Sequence, residues 1–551
     1  MNKRVKKATI QHGKQSFGYT LLTVFPPLLV ALIFFPTVVG LTIQAQLVEW
    51  SEPLIILAIS TLFILARNVT GKNFFYYLIA TLIFINGFVM LSHWLMLGSP
   101  MSATSLFVVF NTNLKEAVSL FHLKNNLSFL LAIPHFGLFI FALIFTFKPL
   151  YRPDKNTYIL FGAITLIVIS FFGMRINRGG FRGGTPLMVK SSILFYKEVS
   201  AFKKLKANTK KRMAEIDAQA DNPEKPQVFI LIKGESSNRN HMGLYGYSRN
   251  TSPHLSTFEN LIVYNDVVSA YTMTLESILA AMSESNLENN LKTYESYNLI
   301  EVYKAAGFKT YWLSNQSPLG IWDNLVTMLA QQSDVTDFVN ISGNSSLDSF
   351  NKTSYDSKLF HSLHSALKDK SDHKFIVLHL MGSHATYAKR YPPKFDIYKG
   401  ENHKDRITAA YDNSILYNDF VVDSLLKIVR NYANNNNAVS AAIYVADHGE
   451  NVYDDADYAG HDYTISIPKS IVEVPFLVWL SPQYQQIYPE KSDVIKGHHN
   501  QPFVTDDLFH AVLDLSNIKT SVLEKQRSPF HPEYKNQRKR ILSDGLDYDE
   551  K

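Results

Sequence analysis

Apolar residues crowd the first third of this chain and then thin out into short, separated runs. Nearly uncharged stretches lie at about Phe17–Gln46, Pro53–Ala66, Phe74–Leu97, Leu127–Phe147 and Tyr158–Met174. A helix needs about 20 apolar residues to cross a bilayer. The pattern therefore predicts membrane helices, five in number, with four as the alternative because Pro53–Ala66 is short. The first stretch is too long for a signal-peptide core and is expected to stay in the membrane. The competing reading of these runs is buried helices of a soluble protein.

Charges between the runs orient them, because Lys and Arg near span ends favour the cytoplasm. Lys3, Arg4, Lys6, Lys7 and Lys14, the Arg67–Lys72 turn and the Lys148, Arg152, Lys155 turn fall on one side. The Glu49–Glu52 turn and the Gly98–Asn126 loop fall on the other, which places everything after the last span outside the cytoplasm. Arg175, Arg178 and Arg182 run against that orientation.

A connector follows from about Arg175 to Pro226. Its Ile193, Leu194, Phe195, Val199 and Phe202 precede Lys203, Lys204, Lys206, Lys210, Lys211 and Arg212. Such a segment fits a basic amphipathic helix on anionic headgroups, or equally a solvated linker helix. Asn222-Pro223-Glu224-Lys225-Pro226 marks a boundary, since proline disfavours helix in the residue before it. Beyond it, apolar runs at Val228–Lys233, Thr310–Ser314, Phe375–Met381, Ala441–Ala446 and Val474–Leu480 read as buried strands, and Leu275–Ser285 and Tyr411–Asn431 as helices. The alternation predicts an α/β domain with a largely parallel sheet between helices.

Composition narrows the chemistry. The chain has 551 residues and no cysteine, which excludes disulfides, thiolate metal sites, iron–sulfur clusters and thiol nucleophiles. Its net charge of +6 is accounted for by the basic turns and connector, and no nucleic-acid module is present. Ligands of open α/β sheets bind off the carboxyl ends of strands. There the runs deliver Gly234-Glu235-Ser236-Ser237, then His384, then Asp447-His448-Gly449-Glu450. Singly these are ordinary turn residues; together they are oxygen and imidazole donors suited to a divalent cation. Thr272-Met273-Thr274-Leu275-Glu276 precedes an apolar-periodic helix, so a threonine here is either a plain N-cap or a nucleophile at a helix N-terminus. Ser236-Ser237 lacks the Gly-x-Ser-x-Gly elbow, and His498-His499, though metal-like, are adjacent loop residues that rarely reach one ion.

The stretch from Gly234-Glu235-Ser236-Ser237 through Tyr245-Gly246-Tyr247 to Ser252-Pro253 resembles the signature of bacterial inner-membrane phosphoethanolamine transferases, members of the alkaline phosphatase and sulfatase superfamily. The resemblance continues at Tyr271-Thr272-Met273-Thr274-Leu275-Glu276, Leu313-Ser314-Asn315-Gln316, Gly382-Ser383-His384, Tyr411-Asp412-Asn413, Asp447-His448-Gly449-Glu450 and Ala459-Gly460-His461. It covers roughly residues 226 to 515.

The resemblance implies an N-terminal α-helical transmembrane bundle (residues 1–174), an amphipathic connector at the membrane surface (175–226) and a periplasmic catalytic α/β/α sandwich of alkaline phosphatase/sulfatase type (227–551). It implies zinc, with manganese or magnesium as alternatives, held by Glu235, Asp447, His448 and the nucleophilic threonine. The Thr-x-Glu spacing favours Thr274 over Thr272 for that role. His384 and His461 would contact the donor phosphate or a second metal, or else act by outer hydrogen bonding; Glu116 and, more weakly, Asn111 would reach the donor headgroup from the outer loop. The implied reaction takes phosphoethanolamine from phosphatidylethanolamine through a covalent phospho-threonine to lipopolysaccharide, on a core sugar or lipid A. Absence of cysteine departs from the disulfide-bearing lipid A branch and favours the core sugar. A phosphoglycerol transferase of the lipoteichoic acid synthase type and a non-catalytic lipid-binding membrane regulator are the alternatives.

Overall fold

The computed structural model describes residues 212–221, 224–316, 325–340, 354–461, 463 and 466–551, with scattered positions between 70 and 200. The expected spans lie almost wholly outside the described residues, as do Asn111, Glu116 and Lys203, Lys204, Lys206, Lys210 and Lys211 of the connector. Among the described residues no helix is long and apolar enough to cross a membrane. The chain forms two compact units, residues 1–106 with 124–195 and residues 107–123 with 196–551; the sheet and the site belong to the second.

Seven strands build its main sheet: β1 (Gln227–Gly234), β2 (Leu261–Tyr264), β3 (Lys309–Ser314), β4 (Val335–Phe338), β5 (His373–His379), β6 (Val439–Ala446) and β7 (Phe476–Leu480), in the order β2-β7-β6-β1-β5-β3-β4. Apolar side chains on both faces of β1 suit a central strand. Val228, Ile230 and Ile232 pack with α4 (Leu359–Lys368) and the 34-residue α5 (His403–Asn436). The opposite face carries Phe229 and Phe375, and Tyr303 of α2 (Leu299–Ala305) stacks on Phe375 with ring centroids 3.7 Å apart. Its hydroxyl donates to the Val512 carbonyl of a further helix, α6 (Leu508–Leu515), at 3.3 Å. Helices therefore cover both faces.

The sheet is largely parallel, as the alternation predicts, with one strand reversed. β1, β3, β4, β5 and β6 run parallel, but β7 is antiparallel to both β6 and β2. A parallel return needs a long crossover, usually a helix. Among the described residues between β6 and β7 are the small hairpin Asn451–Val452 with Ala459–Gly460 and one 3₁₀ turn, Lys469–Ile471, and no helix. The five parallel strands share one carboxyl edge, and the site stands there, under the N-terminus of α1 (Thr274–Ala281). A further short helix, α3 (Leu325–Ala330), packs against α1.

Candidate active site

β1 ends at Gly234, and Glu235 follows on a sharp turn made by Ser236 at φ 52°, a left-handed conformation rare for a residue with a side chain. The turn aims the Ser236 N–H at Asp447 Oδ1 (3.1 Å) and its hydroxyl at Glu235 Oε1 (2.8 Å). Gly382, at φ +51°, lies so close beneath that a Cβ there would stand 2.5 Å from the Glu235 carbonyl oxygen. Off the end of β6, Asp447 Oδ1 also accepts from the His448 N–H at 2.7 Å, while the buried Oδ2 has no hydrogen-bond partner. The Gly449 carbonyl lies 2.7 Å from His448 Nδ1 and can only accept, so Nδ1 carries the proton. Nε2 is thereby turned towards Glu235 Oε1 (3.4 Å) and Asp447 Oδ2 (3.6 Å).

Thr274, not Thr272, meets this group. It is the first residue of α1; the cap position is Met273, whose side chain makes no capping bond, so the Thr274 hydroxyl is not engaged in capping. Its Oγ1 lies 3.2 Å from each Glu235 oxygen and 3.3 Å from His448 Nε2.

Burial, and next the Asp447 charge, push the Glu235 carboxyl up. Burial works to raise Asp447 too, but His448, Lys233 and two backbone N–H groups outweigh it and hold it below its ordinary value. Burial would lower His448, yet Asp447 and Glu235 raise it to about 10. The site thus draws positive charge. Glu235, Asp447 and His448 present ligand atoms within 4.8 Å of one another. Two carboxylates, an imidazole with its outer nitrogen on a carbonyl and a hydroxyl beside them are the donor set of a tetrahedral zinc site. The unpartnered Asp447 Oδ2 fits a metal ligand.

Of the other expected residues, His461 reaches the same cluster: its ring lies 4.3 Å from that of His448, and its Nδ1 is 2.7 Å from Glu450 Oε2. His384 is within electrostatic reach of His448 and His461; burial, then Arg390, holds it well below the usual imidazole value. The positions of Glu116 and Asn111 are outside the described residues. His498 and His499 go separately to the carbonyls of Pro529 (2.9 Å) and Lys496 (2.8 Å).

Sequence reasoning assigned no role to four further residues. Gln316 Nε2 donates to the Leu380 carbonyl at 3.0 Å and points at Glu235 Oε2 from 3.4 Å. Tyr387 donates to Glu450 Oε1 at 2.5 Å, which fixes the carboxylate that holds His461. His241 bridges Asp412 (2.6 Å) and Asp454 (3.0 Å), tying the loop after Glu235 to α5 and to the segment before His461. Gln316 and His241 stood inside quoted motifs, and Glu450 beside His448; only Tyr387 carried no signal in the sequence.

A family model described as Sulfatase matches residues 227–518. Phosphoethanolamine transferase EptC of Escherichia coli strain K12 is 28% identical over 478 residues, covering 81% of this chain and 80% of that protein. The solved C-terminal periplasmic domain of E. coli EptC in complex with Zn is 28% identical with a TM-score of 0.54, covering 61% of this chain and 96% of that one. The integral membrane protein lipooligosaccharide phosphoethanolamine transferase A of Neisseria meningitidis shares the fold, with a TM-score of 0.66 at 17% identity, over 91% of this chain and 98% of that one.

Proposed function

This chain belongs to the sulfatase family, and from that premise we propose that it is a phosphoethanolamine transferase that moves the group from phosphatidylethanolamine to a lipopolysaccharide component, a core sugar or lipid A, through Thr274. The observation that carries the reading is the Thr274 hydroxyl 3.2 Å from both oxygens of a buried glutamate and 3.3 Å from His448 Nε2. The E. coli relative named for this activity matches along most of both chains.

Glu235, Asp447 and His448 hold the metal in this reading, and the zinc complex of the EptC domain supports zinc. A bound divalent cation lowers the pKa of a nearby hydroxyl and offsets phosphate charge. Glu235 and His448 orient Thr274 Oγ1 for attack on the donor phosphorus. The new Oγ1–P bond forms as the bond from phosphorus to the diacylglycerol oxygen breaks; the proton that Oγ1 gives up passes to Glu235, its hydrogen-bond partner, His461 delivers the proton that the departing oxygen takes up, and His384, held neutral, is placed to take the proton of the acceptor hydroxyl. An acceptor hydroxyl or phosphate then attacks the phospho-threonine, returning Thr274. Tyr387 and Glu450 hold His461 in place throughout.

Residues 1–174 form the inner-membrane bundle in this reading, 175–226 the connector at its surface and 227–551 the periplasmic catalytic domain. The apolar runs support this layout, as does the fold shared with an integral membrane protein. Glu116 and Asn111 then face the donor from the outer loop.

The test supplies the full chain, purified in detergent with zinc, with phosphatidylethanolamine and phosphatidylglycerol together and follows diacylglycerol and headgroup products. Consumption of phosphatidylethanolamine alone, lost in Thr274→Ala, is the expected result. Consumption of phosphatidylglycerol instead would identify a phosphoglycerol transferase, and turnover of neither would favour a lipid-binding regulator.

A further inference from the structure

The loop that leaves β1 carries two polar side chains that are buried and that both reach the hairpin between Glu450 and His461. Asn238 caps the 3₁₀ turn Arg239–His241, its Oδ1 accepting from the Asn240 N–H at 2.9 Å, and His241 ends that turn. Asn238 Nδ2 donates to the Glu450 carbonyl at 3.1 Å, at the base of the hairpin. His241 Nε2 lies 3.0 Å from Asp454 Oδ1, at its turn. Asp454 Oδ2 in turn accepts from the Val452 N–H at 2.9 Å, so the carboxylate is built into the hairpin it holds.

The other imidazole nitrogen, Nδ1, lies 2.6 Å from Oδ1 of Asp412, a fully buried carboxylate on α5. A carboxylate only accepts, so an imidazole held between two of them donates from both nitrogens and carries a positive charge. Burial works against that charge, yet Asp412 and Asp454 raise His241 to about 9. Around the same group, Arg249 pairs with Asp412 Oδ2 at 2.6 Å, Tyr247 donates to that oxygen at 3.0 Å, and the Tyr411 ring of α5 meets the imidazole edge-on at 5.0 Å. Two cations thus face two carboxylates, and one of the carboxylates belongs to the hairpin. A ladder of two residue pairs has little stability of its own, so the pose of the hairpin is set by what grips it. Besides His241 and Asn238 the grip includes Ser470, whose N–H donates to Asp455 Oδ2 at 2.7 Å.

We propose that His241 is a positioning residue: as an imidazolium between α5 and the hairpin it fixes how the hairpin sits on its Asn238–Glu450 base, and so sets where His461 stands relative to Thr274. The inference rests on the reading that His461 gives the departing oxygen its proton. Glu450 orients the His461 ring through Nδ1 at 2.7 Å, and the grip on Asp454 fixes the backbone that delivers that ring. Displacing a reacting group by about 1 Å costs on the order of a hundredfold in rate.

The test compares two donors with the full chain in detergent and zinc. Phosphatidylethanolamine loses an alkoxide that needs a proton, whereas the p-nitrophenyl ester of phosphoethanolamine loses a phenolate that does not. Asp454→Ala, at a partly exposed position, breaks the grip with least disturbance to folding, and His241→Gln removes the charge. His241→Arg, a cation able to donate to both carboxylates, is the rescue. In the first two variants kcat on phosphatidylethanolamine is expected to fall about tenfold or more with KM within about threefold of wild type. Turnover of the nitrophenyl ester should fall far less, the pattern His461→Gln also shows, and His241→Arg should recover much of the loss. Equal losses on both donors would mark a purely structural role, and no loss on either would mark none; each result overturns the inference. A wild type inactive on phosphatidylethanolamine, or His461→Gln as active on it as wild type, would overturn the reading of His461 and this inference with it.

Discussion

At the scale of the residue, the site depends on backbone positions that most side chains could not occupy. Gly382 is one: its φ of +51° and a virtual Cβ 2.5 Å from the Glu235 carbonyl leave no room for alanine without moving the turn that carries Glu235. Gly382→Ala is expected to cost on the order of 1–3 kcal/mol of stability and to weaken zinc binding, both visible in melting curves with and without zinc. Thr274 matters instead for its hydroxyl, which meets Glu235 and His448. Thr274→Ala should lower turnover by at least about a thousandfold, whereas Thr274→Ser, which keeps the hydroxyl, should retain measurable turnover. Much of this was legible in the sequence, because Glu235, Asp447 and His448 each follow an apolar run at a strand's carboxyl end. Lys233 fell inside the run read as a buried strand, Val228–Lys233, but was singled out for no role, and it is fully buried.

At the scale of the element, apolar runs located β1, β3, β5, β6 and β7 to within a few residues but carried no information on direction, so the antiparallel β7 could not be foreseen. Short edge strands β2 and β4 escaped because four residues make too brief a pattern. α5 begins eight residues before its expected start at Tyr411 because its first turns, from His403, are polar and largely exposed. Once formed, α5 holds the loop after β1 through Asp419, whose carboxylate accepts from the N–H groups of His254 and Leu255, both at 2.9 Å. Burial raises Asp419 from its ordinary 3.8 to about 7. The folded state therefore binds this proton more tightly than the unfolded state, and the associated stability is fully present below about pH 4 and is lost as pH rises to about 7. Asp419→Asn should flatten the pH dependence of the melting temperature across that window relative to wild type.

At the scale of the molecule, the charged tail after Arg527, uninformative as sequence, closes the domain. Arg538 binds Asp506 (Oδ1, 3.0 Å) and Glu288 (2.9 Å), and Arg527 binds Asp507 (3.1 Å). Asp506 and Asp507 are buried, so Arg538→Ala would strand carboxylates and is expected to cost about 3–5 kcal/mol in denaturant unfolding. On the proposed function, closure matters because the same unit must present Thr274, His384 and His461 to a lipid phosphate. The most direct test of that account is the peptide mass of Thr274 after incubating the full chain with zinc and phosphatidylethanolamine in the absence of acceptor. The account predicts a phosphoethanolamine adduct on Thr274, absent from Thr274→Ala. Turnover of the lipid with the Thr274 peptide unmodified, and turnover persisting in Thr274→Ala, would contradict it.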